Sequence, residues 1–122
     1  EELLSETLKK IDIVICTALI PGKKAPVIIK EGMINNMSSG SIIYDLAAIQ
    51  GGNAAHTKVD EIVDINGVKI MGESNILNKL PTSASNLYAK NVFNFVSNLY
   101  DKENNKININ LEDEIIEKTL IK

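Results

Sequence analysis

Few side chains in this sequence could carry covalent or proton-transfer chemistry, so their spacing matters. Its 122 residues include one histidine and one cysteine. His56 lies in the polar stretch NAAHTKVDE, with no Cys, His or carboxylate cluster at metal-ligand spacing beside it. It reads as a surface-loop histidine rather than a base or a ligand. Cys16 sits inside an apolar, β-branched run, where a thiol behaves as a small buried hydrophobe and not as a nucleophile. Asp45 stands near the end of a second such run; it either faces a ligand cleft or satisfies a nearby turn. Gly22-Lys23-Lys24 invites comparison with a phosphate loop, which needs Gly, four residues, then Gly-Lys-Ser/Thr. Thr17 occupies the first glycine position and Lys24 the hydroxyl position, so the match fails and both lysines read as solvated loop residues. Gly51-Gly52 suits close approach of a ligand or a tight turn; taken alone, the pair favours the turn.

The elements that must position these residues follow from hydrophobic period. Leu3, Leu4 and Leu8 share one helical face over residues 1–10. IDIVICT (11–17) and SIIYDLAA (41–48) are short apolar runs of the kind found in parallel strands buried on both faces. Between them, Pro26 suits the first position of a helix, along which Ile29, Met33 and Met37 recur on one face. EIVDINGVKIMG (61–72) places Asn-Gly between two apolar runs, a hairpin signal. Residues 82–99 read as a helix capped by Ser or Thr, with a stripe of Tyr88, Val92, Phe95, Val96 and Leu99. KININL (106–111) alternates as a half-wet strand, and EKTLIK (117–122) reads as a further strand. Strands alternating with helices predict an α/β fold: the second half of a Rossmann-like, largely parallel sheet with flanking helices, plus a C-terminal helix and strand extension.

Composition narrows the function classes. The chain is 44% hydrophobic, 24% charged and only 4% aromatic, so the core is aliphatic. A net charge of −3 argues against a protein that holds nucleic acid through its phosphates. One cysteine excludes an internal disulfide framework. No apolar run approaches the roughly 20 residues that span a bilayer. The chain opens without Met inside a helical pattern and stops inside an apparent strand, which reads as a piece of a larger protein. There is no G-x-G-x-x-G, and no acid about 20 residues after one, so only the second half of a dinucleotide fold is expected.

Four stretches carry a resemblance: DIVICTALIPGKKAP, GSIIYDLAAIQGGN, GVKIMG and LPTSASNLYAKNVFNF. Together, from about Leu3 to about Thr119, they resemble the alanine dehydrogenase/transhydrogenase family, and within it the NAD(H)-binding domain of proton-translocating NAD(P) transhydrogenase. The resemblance implies direct hydride transfer between NADH and NADP+, coupled to proton translocation in other domains. It implies NAD(H) as cofactor, contacted by Thr17, Ala18 and Leu19 after the first strand, and by Ala47, Ala48 and Asn75 nearer the nicotinamide. It also implies partners, namely an NADP(H)-binding domain and a membrane proton-channel domain, and a homodimer. A soluble domain at a membrane follows, on the bacterial cytoplasmic side, in the mitochondrial matrix or in another organelle.

By the same resemblance, residues 1–80 are the C-terminal half of the NAD(H)-binding Rossmann domain. Residues 81–100 form the helix returning to the other subdomain, and 101–122 a strand extension in dimer contact. Two departures stand out. Lys24 replaces the family's usual Pro, and Ile49 replaces the Asp that alanine dehydrogenases carry just before Gln-Gly-Gly. Oxidation of an amino acid needs a proton acceptor; transfer between two nicotinamides needs alignment only. The alternatives are an alanine dehydrogenase-like amino-acid oxidoreductase, or a catalytically dead α/β fragment with negligible NAD affinity as an isolated chain.

Overall fold

A computed structural model describes residues 2–121. Two compact units divide between Ile76 and Leu77. The first holds α1 (Glu2–Leu8), β1 (Ile13–Cys16), α2 (Glu31–Ile34), β2 (Ile42–Asp45), β3 (Ile62–Ile65) and β4 (Val68–Gly72). Its sheet has the order β1-β2-β4-β3. Strands β1, β2 and β4 run parallel, and β3 pairs antiparallel with β4 on the edge. The α/β, mostly parallel sheet predicted above is therefore present.

Register divides the sheet into two unlike faces. Val14, Ile43, Ile70 and Val63 are aligned across it, and this face packs with Leu8, Met33, Ile34 and Met37 into the aliphatic core. Ile15, Tyr44, Met71 and Ile62 are aligned on the opposite face. There Ile13 and Ile15 of β1 are 63% and 64% exposed, and Ile62 is 62% exposed. The expected burial of the first strand on both faces is thus wrong, because the core helices of this unit cover one face only.

The Asn66-Gly67 turn joins β3 to β4 with φ of 53° and 85°, the left-handed pair that a two-residue hairpin requires. The helix expected from Pro26 onward is instead a single turn beginning at Glu31. Residues 26–30 stay outside the helix, with the amides of Ile28 and Ile29 both donating to the Asn53 carbonyl, at 2.8 and 2.9 Å, and Ile29 bridging to Ala54. Ile29, Met33 and Met37 still reach the core.

The second unit contains α4 (Pro81–Asn98), the hairpin of β5 (Tyr100–Asp101) and β6 (Lys106–Ile107), and α5 (Glu114–Thr119); the short α3 (Ile76–Lys79) spans the division. Helix α4 is not capped by Ser or Thr. Leu80 is its N-cap and makes no side-chain cap bond, while Pro81 opens the helix, a position where its missing N–H costs nothing. The α4 stripe is correct in period but not buried: Tyr88 is 73% exposed and Val96 52%. The predicted strand at 106–111 shrinks to two residues, and the predicted strand at 117–122 is a correction: α5 occupies its first residues. Asp113 caps α5, accepting from the amides of Ile115 (2.8 Å) and Ile116 (3.3 Å) and from Asn98 Nδ2 (3.0 Å). These bonds, Asn98's foremost, hold its carboxyl below the ordinary range. No helix among the described residues is long and apolar enough to cross a membrane.

Candidate functional site at the C-terminal edge of the sheet

In an open parallel sheet, the strand carboxyl ends and the loops leaving them form the natural ligand edge. Here that edge carries Thr17–Leu19 after β1, Leu46–Gln50 after β2, and Glu73–Asn75 after β4. All six residues predicted for the site therefore lie on one edge of one unit. Their environments differ. Thr17 is exposed, Ala18 half-buried and Leu19 50% exposed. Ala47 and Ala48 are buried, at 0% and 2%, so their methyl groups are enclosed. Asn75 is exposed, and its amide donates to Glu73 Oε1 at 2.8 Å.

The turns are organised from beneath by Asp45, which is fully buried. Its Oδ1 accepts from the Ala47 amide at 2.9 Å. Its Oδ2 accepts from the amides of Asn53 (2.6 Å) and Ala54 (3.1 Å) and from the Thr57 hydroxyl (2.7 Å). A buried carboxylate so supplied is a structural anchor with its charge spread over four donors. Of the two readings open for Asp45, the turn prevails over the cleft.

The same geometry explains the glycine pair. Gly51 and Gly52 have φ of 102° and 81°. A Cβ on Gly52 would lie 2.5 Å from Thr57 Cβ and 2.9 Å from Asp45 Oδ2. That glycine makes room for the anchor, not for a ligand.

Asn53 carries the second half of this scaffold and was not singled out by sequence reasoning. It is 1% exposed. Its Oδ1 accepts from the Ala18 amide at 2.8 Å, and its Nδ2 donates to the carbonyls of Ala18 and Pro26, each at 2.9 Å. The signal was its place directly after two glycines that follow a strand-terminal Asp. Nothing local to the sequence says that its partners lie 35 and 27 residues away.

On the β4 side, Tyr44 donates to Glu73 Oε2 at 2.7 Å, and the Glu73 amide donates to the Asp45 carbonyl at 2.9 Å. Ser74 donates through its amide and hydroxyl to Asp60, at 3.0 and 2.7 Å. Asp45 and Glu73 are buried and hydrogen-bonded, Glu73 to Tyr44 of β2 and to the Asn75 amide, while Asp60 is exposed and bonded to Ser74. Cys16, at the end of β1, is buried, and its thiol is pushed up to about 11 by that burial and by the nearby Asp45 charge. This is the environment of a small buried hydrophobe, as expected, and not of a nucleophile. His56 is a loop residue at φ 67°, 3.5 Å from Glu31 Oε1. Lys23 and Lys24 line a shallow surface hollow with Gly22 and Ile49–Gly51. No His, Cys, Asp or Glu group able to hold a metal ion occurs among the described residues. The edge offers a firmly held scaffold with a small apolar rim, on which Leu19 and the 67% exposed Ile49 are prominent.

Comparison with known proteins places the chain in a family. The chain is 41% identical over 116 residues to NAD(P) transhydrogenase subunit alpha of Haemophilus influenzae, covering 94% of this chain and 23% of that protein. It is 31% identical over 105 residues to alanine dehydrogenase 1 of Staphylococcus aureus, covering 83% of this chain and 28% of that one. The crystal structure of a transhydrogenase from Sinorhizobium meliloti superposes with a TM-score of 0.71 at 37% identity, over 95% of this chain and 32% of that chain. An L-alanine dehydrogenase structure gives 0.63 at 25% identity, over 70% and 25%. The chain spans less than a third of the length of each of these relatives. The family model for the alanine dehydrogenase/PNT C-terminal domain matches residues 1–122, and the chain belongs to that family.

Proposed function

We propose that this chain is the C-terminal portion of the NAD(H)-binding component of a proton-pumping NAD(P) transhydrogenase. In that reading, residues 1–80 complete the NAD(H)-binding Rossmann domain, 81–100 return to the other subdomain, and the hairpin and helix of 101–122 lie in the contact of a homodimer. Its partners are an NADP(H)-binding domain and a membrane proton-channel domain. The chain itself is a soluble domain beside that membrane, on the bacterial cytoplasmic side or within an organelle such as the mitochondrial matrix.

The observation that carries the reading is the chemistry of the edge. The buried carboxylates there, Asp45 and Glu73, are held by hydrogen bonds, Asp60 is paired with Ser74, and position 49 offers an exposed isoleucine. Such a rim fits a flat heterocycle and a ribose, and lacks a ready proton acceptor for an amino or hydroxy acid. When bound, the dinucleotide supplies the hydride chemistry. The chain's part is to bind, to orient and to exclude water: Leu19 and Ile49 as apolar contacts, Thr17 and Asn75 as polar ones, Ala18 as the held centre of its turn, and Ala47 and Ala48 as the close-packed floor. Identity favours the same choice, at 41% against 31%. The test is NADH-dependent reduction of an NADP+ analogue by the full-length protein with its NADP(H)-binding partner. L-alanine-dependent NADH formation, with no transfer between nucleotides, would overturn the reading in favour of an amino-acid oxidoreductase.

A further inference from the structure

We infer that Asn53 is a positioning residue of the nucleotide site, setting the turn after β1 without touching the nucleotide; the inference rests on the NAD(H)-binding reading above. Its carboxamide engages Ala18 at both backbone groups, taking the N–H on Oδ1 at 2.8 Å and giving Nδ2–H to the carbonyl at 2.9 Å. A neighbouring strand would pair with a residue in the same reciprocal way. The side-chain amide therefore stands in for a strand just where β1 has ended. The second Nδ2 hydrogen goes to Pro26 at 2.9 Å, so one side chain grips both ends of the loop.

Asn53 is itself held. Its amide donates to Asp45 Oδ2 at 2.6 Å, and its carbonyl accepts from Ile28 and Ile29. Force is thus relayed from the end of β2, through Asn53, to the backbone that leaves β1. Apart from these bonds, the loop has few ties. Ala25 donates to the Gln50 carbonyl at 2.7 Å, and Lys23 to that of Ile20 at 3.1 Å. The Gln50 side-chain amide donates to the carbonyls of Lys23 (2.9 Å) and Ile20 (3.1 Å) and holds the far part of the loop, while the residues directly after β1, beginning with Ala18, are held by Asn53.

Only this amide satisfies the geometry. Alanine would strand one donor and two acceptors of the backbone. Aspartate keeps the acceptor for Ala18 N–H but turns an oxygen toward two carbonyls. Holding the turn before ligand arrives removes an ordering cost from binding.

The test uses Asn53→Ala and Asn53→Asp in the full-length protein with its NADP(H)-binding partner. Both variants are expected to raise the KM for NADH by about tenfold or more while the KM for NADP+ stays put, since the lost interaction serves one nucleotide only. Ile34→Val, a core truncation away from the edge, serves as a reference for general destabilisation and is expected to leave the NADH KM unchanged. Hydrogen–deuterium exchange reads the clamp without nucleotide. The Ala18 amide is expected to be protected in the wild type and to exchange freely in both variants. An unchanged NADH KM in both variants, a rise of equal size in Ile34→Val, or an unprotected Ala18 amide in the wild type would overturn the role of Asn53 alone. A wild-type protein that oxidises no NADH would overturn the functional reading together with this role.

Discussion

A carboxylate with no exposed surface and four donors is worth most to the protein as a negative charge that never changes partner. Removing one donor should therefore cost a charge-assisted hydrogen bond, and changing the carboxylate should cost much more. Thr57→Val is expected to lower stability by about 1.5–3 kcal/mol, the range for a hydrogen bond to a charged group. Asp45→Asn turns an amide N–H toward backbone N–H groups and should exceed that loss; urea unfolding of the purified variants decides the order. Cys16 supplies a second residue-scale prediction. Its thiol is raised from the ordinary 9.0 to about 11, by burial first and then by Asp45. The folded state thus holds the proton more tightly than the unfolded state. Its contribution to stability is complete below about pH 9 and is lost as the pH climbs toward about 11. Cys16→Ala should flatten that alkaline decline in denaturation curves taken from pH 8 to 11. Alkylation of the wild type at neutral pH should be slow until the protein is unfolded, because the reactive species is the thiolate.

Among the elements, the β3–β4 hairpin is the most locally determined. Gly67 combines φ of 85° with a neighbour, Ser39, whose side chain occupies the space a Cβ would need. Gly67→Ala is expected to destabilise by about 1–2 kcal/mol, the usual cost of a non-glycine residue in a left-handed conformation, with a steric contribution added. Adding Ser39→Ala should recover the steric contribution and leave the backbone one, which a double-mutant cycle in urea separates. This hairpin was legible in sequence because Asn-Gly fixes its own turn and the flanking alternation fixes its faces. Helix α4 was legible for the same reason of period, although its start was not: Pro81 opens it where a hydroxyl cap was expected. The segment 26–30 misled because its amides are taken by Asn53, more than 20 residues away. The strand expected at 117–122 misled because Thr119, Leu120 and Ile121 form a short β-branched, apolar run; the better signals were Asp113 as cap, Glu114 in the first turn and Lys118 in the last. The site followed the same division. Its six candidate residues came from the family resemblance and the order of elements puts them at the strand ends, whereas Asn53 acts only through long-range partners.

At the scale of the molecule, the first unit has one covered face and one open one, which is unusual for a parallel sheet. Ile13, Ile15 and Ile62 each keep over 60% of their surface in water, and fully burying an isoleucine is worth about 1.5–3 kcal/mol. A sheet in this state is stabilised by its core on one side alone, and the open side should attract apolar probes. The site shares the imbalance. On the proposed reading its edge takes the ring end of a dinucleotide, yet the chain has no glycine-rich turn for the pyrophosphate and no acid at the usual spacing for a ribose. Binding energy spread over a whole dinucleotide is then only partly realised, and each 1.4 kcal/mol forgone is about tenfold in affinity. The isolated 122 residues should therefore bind NADH at least about 100-fold more weakly than the full-length protein, a loss of roughly 2.7 kcal/mol or more. They should also enhance the fluorescence of an apolar dye that the full-length protein leaves dark. Both follow from one titration series, with NADH fluorescence reporting the site and the dye reporting the sheet. Tight NADH binding by the isolated chain would mean that its own turns supply the nucleotide contacts. A dark dye would mean that the isoleucine face is closed in solution by association of the chain with itself, which a concentration series would reveal as a dimer.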